Sequence, residues 1–503
     1  MTPRMCLAIV MGILAGSASG QDAPPLEKLK LADYRMRVAA SNQNLAARRL
    51  EAQIGRIQAR GERSVMEPAL VGSVSRSRTE RQNSIDQSLS QNAPIFLEDG
   101  ESASAGLEGR LPLGTKYWVG ASIDNRSNNL TNAWARTPFT DEYLGFAGIR
   151  VSQPLLKDAG MGAILARVRL ADAEARVKHQ ELRKQTMAVV SRAELAYWNL
   201  ALAQHLLELR QASVRIAEQV LNDNRERVKA GKMAENEVFE AEAGLARRQS
   251  QASDAAQTVV AVRNLVRSFI SATPDDAAAA NIEAADEPAL AALDTDYVLA
   301  MRRALRRHPD YIALQEVVRQ EGVRVAYSRS QRWPQVDLVA SYGLNGIGES
   351  ASDAFDQIGR NEYEAWSVGI EVRLPLGGGV RERADLAAAK ARQRQALLEL
   401  SAAEIEIGNA LDTALRRVNA TREQASHLQR TVEFNSKLLE SEMNRLEAGK
   451  SDSRRVLQIE QELVEARIAA YQALVEHRRA WLDWEVAQGI LLDERQLEPR
   501  EAR

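Results

Sequence analysis

The sequence predicts a mainly α-helical chain with a small β part, built as two internal repeats of long antiparallel helical hairpins. Three observations carry that prediction. Charged residues make up 27% of the 503 and aromatics only 5%, and long stretches are written in Ala, Leu, Glu, Gln and Arg, the alphabet of long helices. Apolar residues recur every seven positions over two extended segments, which keeps one seam of a helix facing a partner. Finally, two parts of the chain are near-copies at an offset of 218 residues. The formal net charge of -2, from 66 basic and 68 acidic residues, gives no reason to expect nucleic acid as partner, and no binding motif for it occurs.

Residues 1–20 read as a Sec signal peptide. Arg4 supplies the positive start, Met5 to Ala15 the apolar core, and Ala18, Ser19 and Gly20 the small residues before a cut ahead of Gln21. The only cysteine, Cys6, lies inside this segment, so the mature chain is expected to carry no thiol and no lipobox. Beyond it no apolar run reaches the 18 residues a membrane helix needs. An exported chain of this kind is periplasmic, secreted, or embedded through strands, since only closed barrels satisfy strand backbones in lipid.

The first repeat is placed at 21–270. It holds an initial helix, β-strands about 69–153, a long helix about 161–229, a tip at 230–234 and a second helix at 235–270. Within the β stretch, Ala69 to Arg81 and Tyr143 to Val151 read as strands, with an additional pair expected near Gly106 to Leu111 and Lys116 to Asp124. Residues 271–296, Ala-rich and acidic with prolines, form a linker. The second repeat at 297–492 holds helices 297–330, β-strands 335–375, a long helix 381–447, a tip at 448–452 and a helix 453–491; 493–503 is a tail. Trp333 to Gly343 and Ala365 to Pro375 alternate apolar and polar residues about ten at a time, across a Gly/Ser/Asp loop from Leu344 to Asn361. Four of the seven tryptophans, Trp118, Trp134, Trp333 and Trp366, fall in these β-rich parts, where they suit either a membrane-interface girdle or cross-strand packing.

The tips carry the duplication most plainly. Arg227-Val228-Lys229-Ala230-Gly231-Lys232 matches Arg445-Leu446-Glu447-Ala448-Gly449-Lys450, and Val238, Glu242 and Leu245 align with Val456, Glu460 and Leu463. The stripe Ala193, Leu200, Leu207, Val214, Leu221 and Val228 is in register with Leu411, Val418, Ala425, Val432, Leu439 and Leu446. Glycine after such a stripe supplies the left-handed residue that closes a helix. Heptads alone would equally fit a generic coiled-coil rod; the strands before each long arm argue against it. Two strand pairs cannot close a membrane barrel, so strands and seams both call for sister subunits.

With Ser152 to Gly160 leading into the first long helix, Trp333 to Leu338 opening the second strand pair, Arg373 to Gly379 leading into the second helix, and both Arg-x-x-Ala-Gly-Lys tips, the chain resembles the TolC-type outer membrane efflux proteins over roughly Leu26 to Leu492. The resemblance implies a homotrimer with a shared twelve-stranded β-barrel in outer-membrane lipid above a periplasmic α-barrel. It implies a passive duct of a tripartite efflux or type I secretion system, driven by an inner-membrane transporter through a periplasmic adaptor protein. By position, Arg227, Ala230, Gly231 and Lys232 and Arg445, Ala448, Gly449 and Lys450 are the adaptor-docking tips. Glu237, Arg455 and Gln458 are periplasmic entrance candidates, the last two standing where well-known members carry aspartates. Opening would shift the short arms, Glu235 to Phe269 and Ser453 to Leu491, against the long ones.

Catalysis has little support. The five histidines show no metal-ligand spacing, so no metal, cofactor or enzymatic activity is expected. His308-Pro309-Asp310 reads as a helix start, and Gly377-Gly378-Gly379 lacks the Lys-Ser/Thr of a phosphate loop. Two readings from other classes stay beside the channel: a periplasmic adaptor, which would place one hairpin between halves of a β-domain, and a secreted coiled-coil structural protein.

Overall fold

A computed structural model describes residues 26–85, 95–129, 142–231, 233–271, 273, 281–290, 296–376, 378–448 and 450–499. The expected signal peptide, Trp134 and much of the 271–296 linker lie outside these residues. The chain forms two compact units. One comprises Met1–Gln43, Val190–Ala292 and Val418–Ala480; the other comprises Asn44–Val189, Leu293–Arg417 and Trp481–Arg503.

The described elements begin with β1 (Leu26–Leu29), α1 (Leu31–Ser41), α2 (Gln43–Gly61) and a 3-10 turn. Four strands follow: β2 (Ala69–Gln82), β3 (Ile95–Arg110), β4 (Lys116–Asn128) and β5 (Glu142–Pro154). A short helix α3 (Gly160–Ile164) precedes α4 (Ala166–Lys229) and α5 (Asn236–Ser268). Then come β6 (Asn281–Ala284), α6 (Tyr297–Arg307), α7 (Pro309–Gln331), β7 (Gln335–Gly348), α8 (Ala351–Gly359) and β8 (Glu364–Arg373). The chain closes with α9 (Val380–Glu447), α10 (Ser453–Gln488) and α11 (Leu491–Glu494). Helix α4 has 64 residues and α9 has 68. At a rise of ~1.5 Å per residue each runs about 100 Å.

In the first unit β1 and β6 pair in parallel, Leu26 with Asn281 through Leu29 with Ala284. Tyr34 of α1 is fully buried and stacks on Tyr197 of α4 at 5.8 Å. The Tyr197 hydroxyl receives the N–H groups of Ala285 and Asp286 at 3.0 and 3.1 Å and lies 2.8 Å from the Leu29 carbonyl. That one hydroxyl fastens both short strands to the long helix, and burial raises its pKa. The seven-residue stripe explains the helix packing: Ala193, Leu200, Leu221, Val418 and Ala425 are buried. Glycine closes α4 as the spacing predicts, with Gly231 at φ +71 and its N–H on the Val228 carbonyl at 2.9 Å.

The second unit contains a six-stranded antiparallel sheet in the order β2-β3-β4-β5-β7-β8. The strands expected near 106–111 and 116–124 are present but longer. β3 extends back to Ile95 through Glu98, Asp99 and Glu101; Glu98 points to one face and Asp99 and Glu101 to the other, so acid falls on both faces and the stretch does not read as alternation. Four sheet strands per chain would give twelve in a trimer; among the described residues this sheet has six.

The expected loop from Leu344 to Asn361 is corrected too. β7 continues to Gly348 and α8 occupies most of the remainder. Ser350 caps α8 by accepting the Asp353 N–H at 3.3 Å. Ala354 and Ile358 are buried, the helix lying against Gly145, Gly346 and Gly348, where no side chain stands in the way. His308-Pro309-Asp310 does open a helix, with Pro309 at the first position of α7.

Candidate functional site

Strand alternation gives the sheet two chemically distinct faces. Following the register across all six strands, Leu70, Leu107, Val119, Ile149, Tyr342 and Trp366 share one row and one face. These side chains are substantially exposed, Leu70 at 85% and Trp366 at 72%. The opposite face carries Ser–Ser pairs: Ser73 with Ser104 at 2.8 Å, Ser75 with Ser102 at 2.6 Å, and Ser341 with Ser367 at 2.8 Å. Arg150 lies on that face over the Trp118 ring at 4.6 Å. An exposed apolar face backed by a serine and glycine face is how a wall between lipid and water is written. Trp366 stands on the apolar face and Trp118 on the polar one, so the four tryptophans are not one girdle.

The tips sit at the ends of α4 and α9 in the first unit. At the first, Ala230 bonds back to the Glu226 carbonyl at 3.0 Å, and Asn224, buried, donates to the Glu237 carbonyl at 3.3 Å. Arg227 is half-buried, and Lys229 pairs with Glu226 in solvent. Lys232 lies outside the described residues, as does Gly449 of the second tip. There, Lys450 N–H reaches the Arg445 carbonyl at 2.8 Å and Ala448 the Asn444 carbonyl at 3.1 Å. Glu442, only 6% exposed, accepts from Arg445 at 3.2 Å and from the Ser451 hydroxyl. The Asp452 carboxylate caps α10 by accepting the Arg455 N–H at 2.7 Å.

Of the entrance candidates, Glu237 and Gln458 line one cleft of about 400 Å³ with Glu240, Arg247 and Arg454. Arg455 is not among its lining residues. Its guanidinium donates to Gln458 at 3.3 Å, and Gln458 donates to Glu462 at 3.1 Å. At the floor of the cleft Arg248, on α5, reaches the α10 carboxylate of Glu460 at 2.9 Å. It also donates to Ser213 at 3.1 Å, to the Gly244 carbonyl at 3.3 Å and to the Leu457 carbonyl at 3.1 Å. The two side chains are 9% and 2% exposed, so this pair ties the short arms of the two hairpins together in a dry environment. Sequence reasoning missed it. At the repeat offset Glu460 answers to Glu242, which pairs in solvent with Arg225, whereas Arg248 answers to Ala466. That asymmetry was the signal available.

No group of His, Cys, Asp and Glu able to hold a metal occurs among the described residues, and no described helix is long and apolar enough to cross a membrane.

Comparison with known proteins agrees with this geometry. Residues 117–269 and 300–487 match the family profile Outer membrane efflux protein. The chain is 22% identical over 343 residues to the outer membrane efflux protein BepC of Brucella suis, covering 67% of this chain and 71% of that protein. It is 26% identical over 412 residues to the proteases secretion protein PrtF of Dickeya chrysanthemi, covering 78% and 82%. Among solved structures, the CmeC outer membrane channel of Campylobacter jejuni superposes with a TM-score of 0.63 at 16% identity, covering 96% of this chain and 93% of that one. The MtrE outer membrane channel of Neisseria gonorrhoeae gives 0.61 at 17% identity, covering 91% and 88%. The family expected from the tips and strand openings is therefore the right one: this chain belongs to the outer membrane efflux protein family.

Proposed function

We propose that this chain is one subunit of a homotrimeric outer-membrane duct serving efflux or type I secretion. Its sheet forms part of a barrel in the lipid, and its long hairpins form the periplasmic α-barrel, each hairpin coming from one of two duplicated units. The observation that carries this reading is the two-faced sheet: an exposed apolar face backed by serines and glycines, with each outer strand paired on one side only among the described residues. Strands of that kind are satisfied in hydrocarbon only by a closed barrel. A polar lumen then removes the cost of moving a polar solute through lipid, and the work comes from an inner-membrane transporter coupled through a periplasmic adaptor.

The tips are the adaptor dock, through Arg227, Ala230, Gly231 and Lys232 and Arg445, Ala448, Gly449 and Lys450. Glu237, Gln458 and Arg455 stand at the entrance. Their mix of one acid, one amide and one cation argues against a strongly acidic cation-binding ring there.

Two measurements test this. Membrane fractionation followed by native mass spectrometry in detergent is expected to find the chain in the outer membrane as a trimer; soluble periplasmic monomer would reject the duct. Reversing charge at Arg227 and Arg445 is expected to abolish co-purification of the adaptor while leaving trimer intact. Unchanged co-purification would remove the tips from the dock.

A further inference from the structure

β2 and β8 each have a single neighbour among the described residues. Each therefore offers a row of unpaired N–H and C=O groups, which hydrocarbon does not tolerate. Because direction alternates across six strands, β2 and β8 run opposite ways. A second copy's β2 laid beside β8 continues the antiparallel ladder.

The apolar face shows how the sheet stands in the membrane. On β8 its apolar positions run from Trp366 to Val372, centred on Gly369. On β2 they run from Leu70 to Val74, centred on Gly72. Gly369 pairs with Val339 of β7, whereas the row of Gly72 passes through Ala105, Ala121 and Ala147 to Leu344 of β7. From Val339 to Leu344 the band centre has moved five residues over the five steps between six strands. The drift is even, with apolar positions at Tyr117 to Ile123 on β4 and Ala147 to Val151 on β5. At ~3.4 Å per residue and ~4.8 Å per strand this slope is about 35°. A membrane is flat, so the strands must lean by that angle, which lies in the range closed barrels adopt. Helix α8 sits just above the band, over Gly145, Gly346 and Gly348.

The opposite face supplies an independent observation. Gly106, Gly120, Gly148 and Gly343 form one row across β3, β4, β5 and β7. A Cβ at Gly120 would lie 2.3 Å from the Ala105 carbonyl, and one at Gly148 would lie 2.3 Å from the Tyr342 carbonyl. Neighbouring backbone can crowd that side only if the sheet is bent towards it, so the serine face is concave along this row. The bend runs through β3 and β4 as it does through β5 and β7.

We propose that β3 and β4 are wall strands, and that β8 pairs with β2 of a second copy, so that three subunits close a barrel of eighteen strands rather than twelve. This rests on the trimeric channel reading above. At a 35° lean, eighteen strands give a backbone diameter of about 34 Å, against about 22 Å for twelve. Carrying the drift one step across the seam sets Val74 of one copy opposite Val368 of the next.

Cryo-electron microscopy of trimer extracted from outer membranes in detergent tests the strand count directly. Eighteen strands in a section through the barrel are expected. Twelve, with β3 and β4 packed off the wall, would overturn the proposal and leave the channel reading standing; a particle with no shared barrel would overturn both. The seam is tested with Val74→Cys and Val368→Cys in one chain, whose natural cysteine Cys6 lies in the expected signal segment. Oxidation is expected to yield covalent dimers and trimers on a denaturing gel. Monomer alone, in a preparation where the intrachain Val119→Cys/Ile149→Cys control loses its thiols, would overturn the seam.

Discussion

Removing the guanidinium of Arg248 should loosen the link between the short arms far more than removing its partner does. In Arg248→Met the Glu460 carboxylate, 2% exposed, loses its cation, while its Oε1 already has no hydrogen-bond partner. Breaking a buried pair in this way costs about 3–5 kcal/mol. In Glu460→Gln the guanidinium keeps Ser213 and the carbonyls of Gly244 and Leu457 as acceptors. That change should cost about 1–3 kcal/mol. The double variant Arg248→Met/Glu460→Leu exchanges the pair for apolar volume and should recover much of the loss. Hydrogen exchange of the detergent-solubilised protein reads this locally. Amides around 241–248 and 457–464 should exchange about 10²- to 10⁴-fold faster in Arg248→Met. Equal rates in the single and double variants would refute the reasoning, since the stranded carboxylate would then carry no penalty.

Three further outcomes follow from packing and burial. Gly148→Val should abolish heat-resistant oligomer on gels, because its Cβ meets the Tyr342 carbonyl at 2.3 Å, whereas Gly72→Ala, 3.6 Å from its nearest atom, should not. Gly489→Ala forces φ +72 on an alanine and sets its Cβ 2.6 Å from the His308 backbone; at least about 1–2 kcal/mol should be lost by denaturant titration. Burial holds His205 and His477 below their ordinary pKa of 6.5. The unfolded chain therefore binds more protons, so stability should rise with pH between those depressed values and 6.5 and fall on acidification through that window. His205→Phe keeps the 4.2 Å stack on Tyr471 and should flatten the slope seen in melting curves between pH 5 and 7.

The mainly helical character was legible because a stripe such as Ala193, Leu200 and Leu221 repeats often enough to outweigh local noise. β7 and β8 were legible for the same reason on a shorter period, through Leu338, Ala340 and Tyr342 against Val368 and Ile370. What escaped notice lacked periodicity. In β3 the stretch Glu98 to Ala105 is acidic, small and glycine-containing, so its strand character comes from being paired on both sides, not from its own alternation. α8 is too short to show a helical period, and its apolar surface meets Gly145, distant in sequence, together with the nearby Gly346 and Gly348. The Arg248–Glu460 pair spans 212 residues, and no local pattern announces a partner that far away. The tip glycine at 231 was legible because a helix stop needs only its own conformation.

The account turns on the sheet being a wall with lipid on one side and water on the other. Single cysteines at Val119, Ile149 and Tyr342, and at Ser122, Ser341 and Ser367, can be placed in the native outer membrane and offered a water-soluble maleimide. The serine-face positions should label and the apolar-face positions should stay protected until detergent is added. Equal labelling of both sets before detergent would contradict the account.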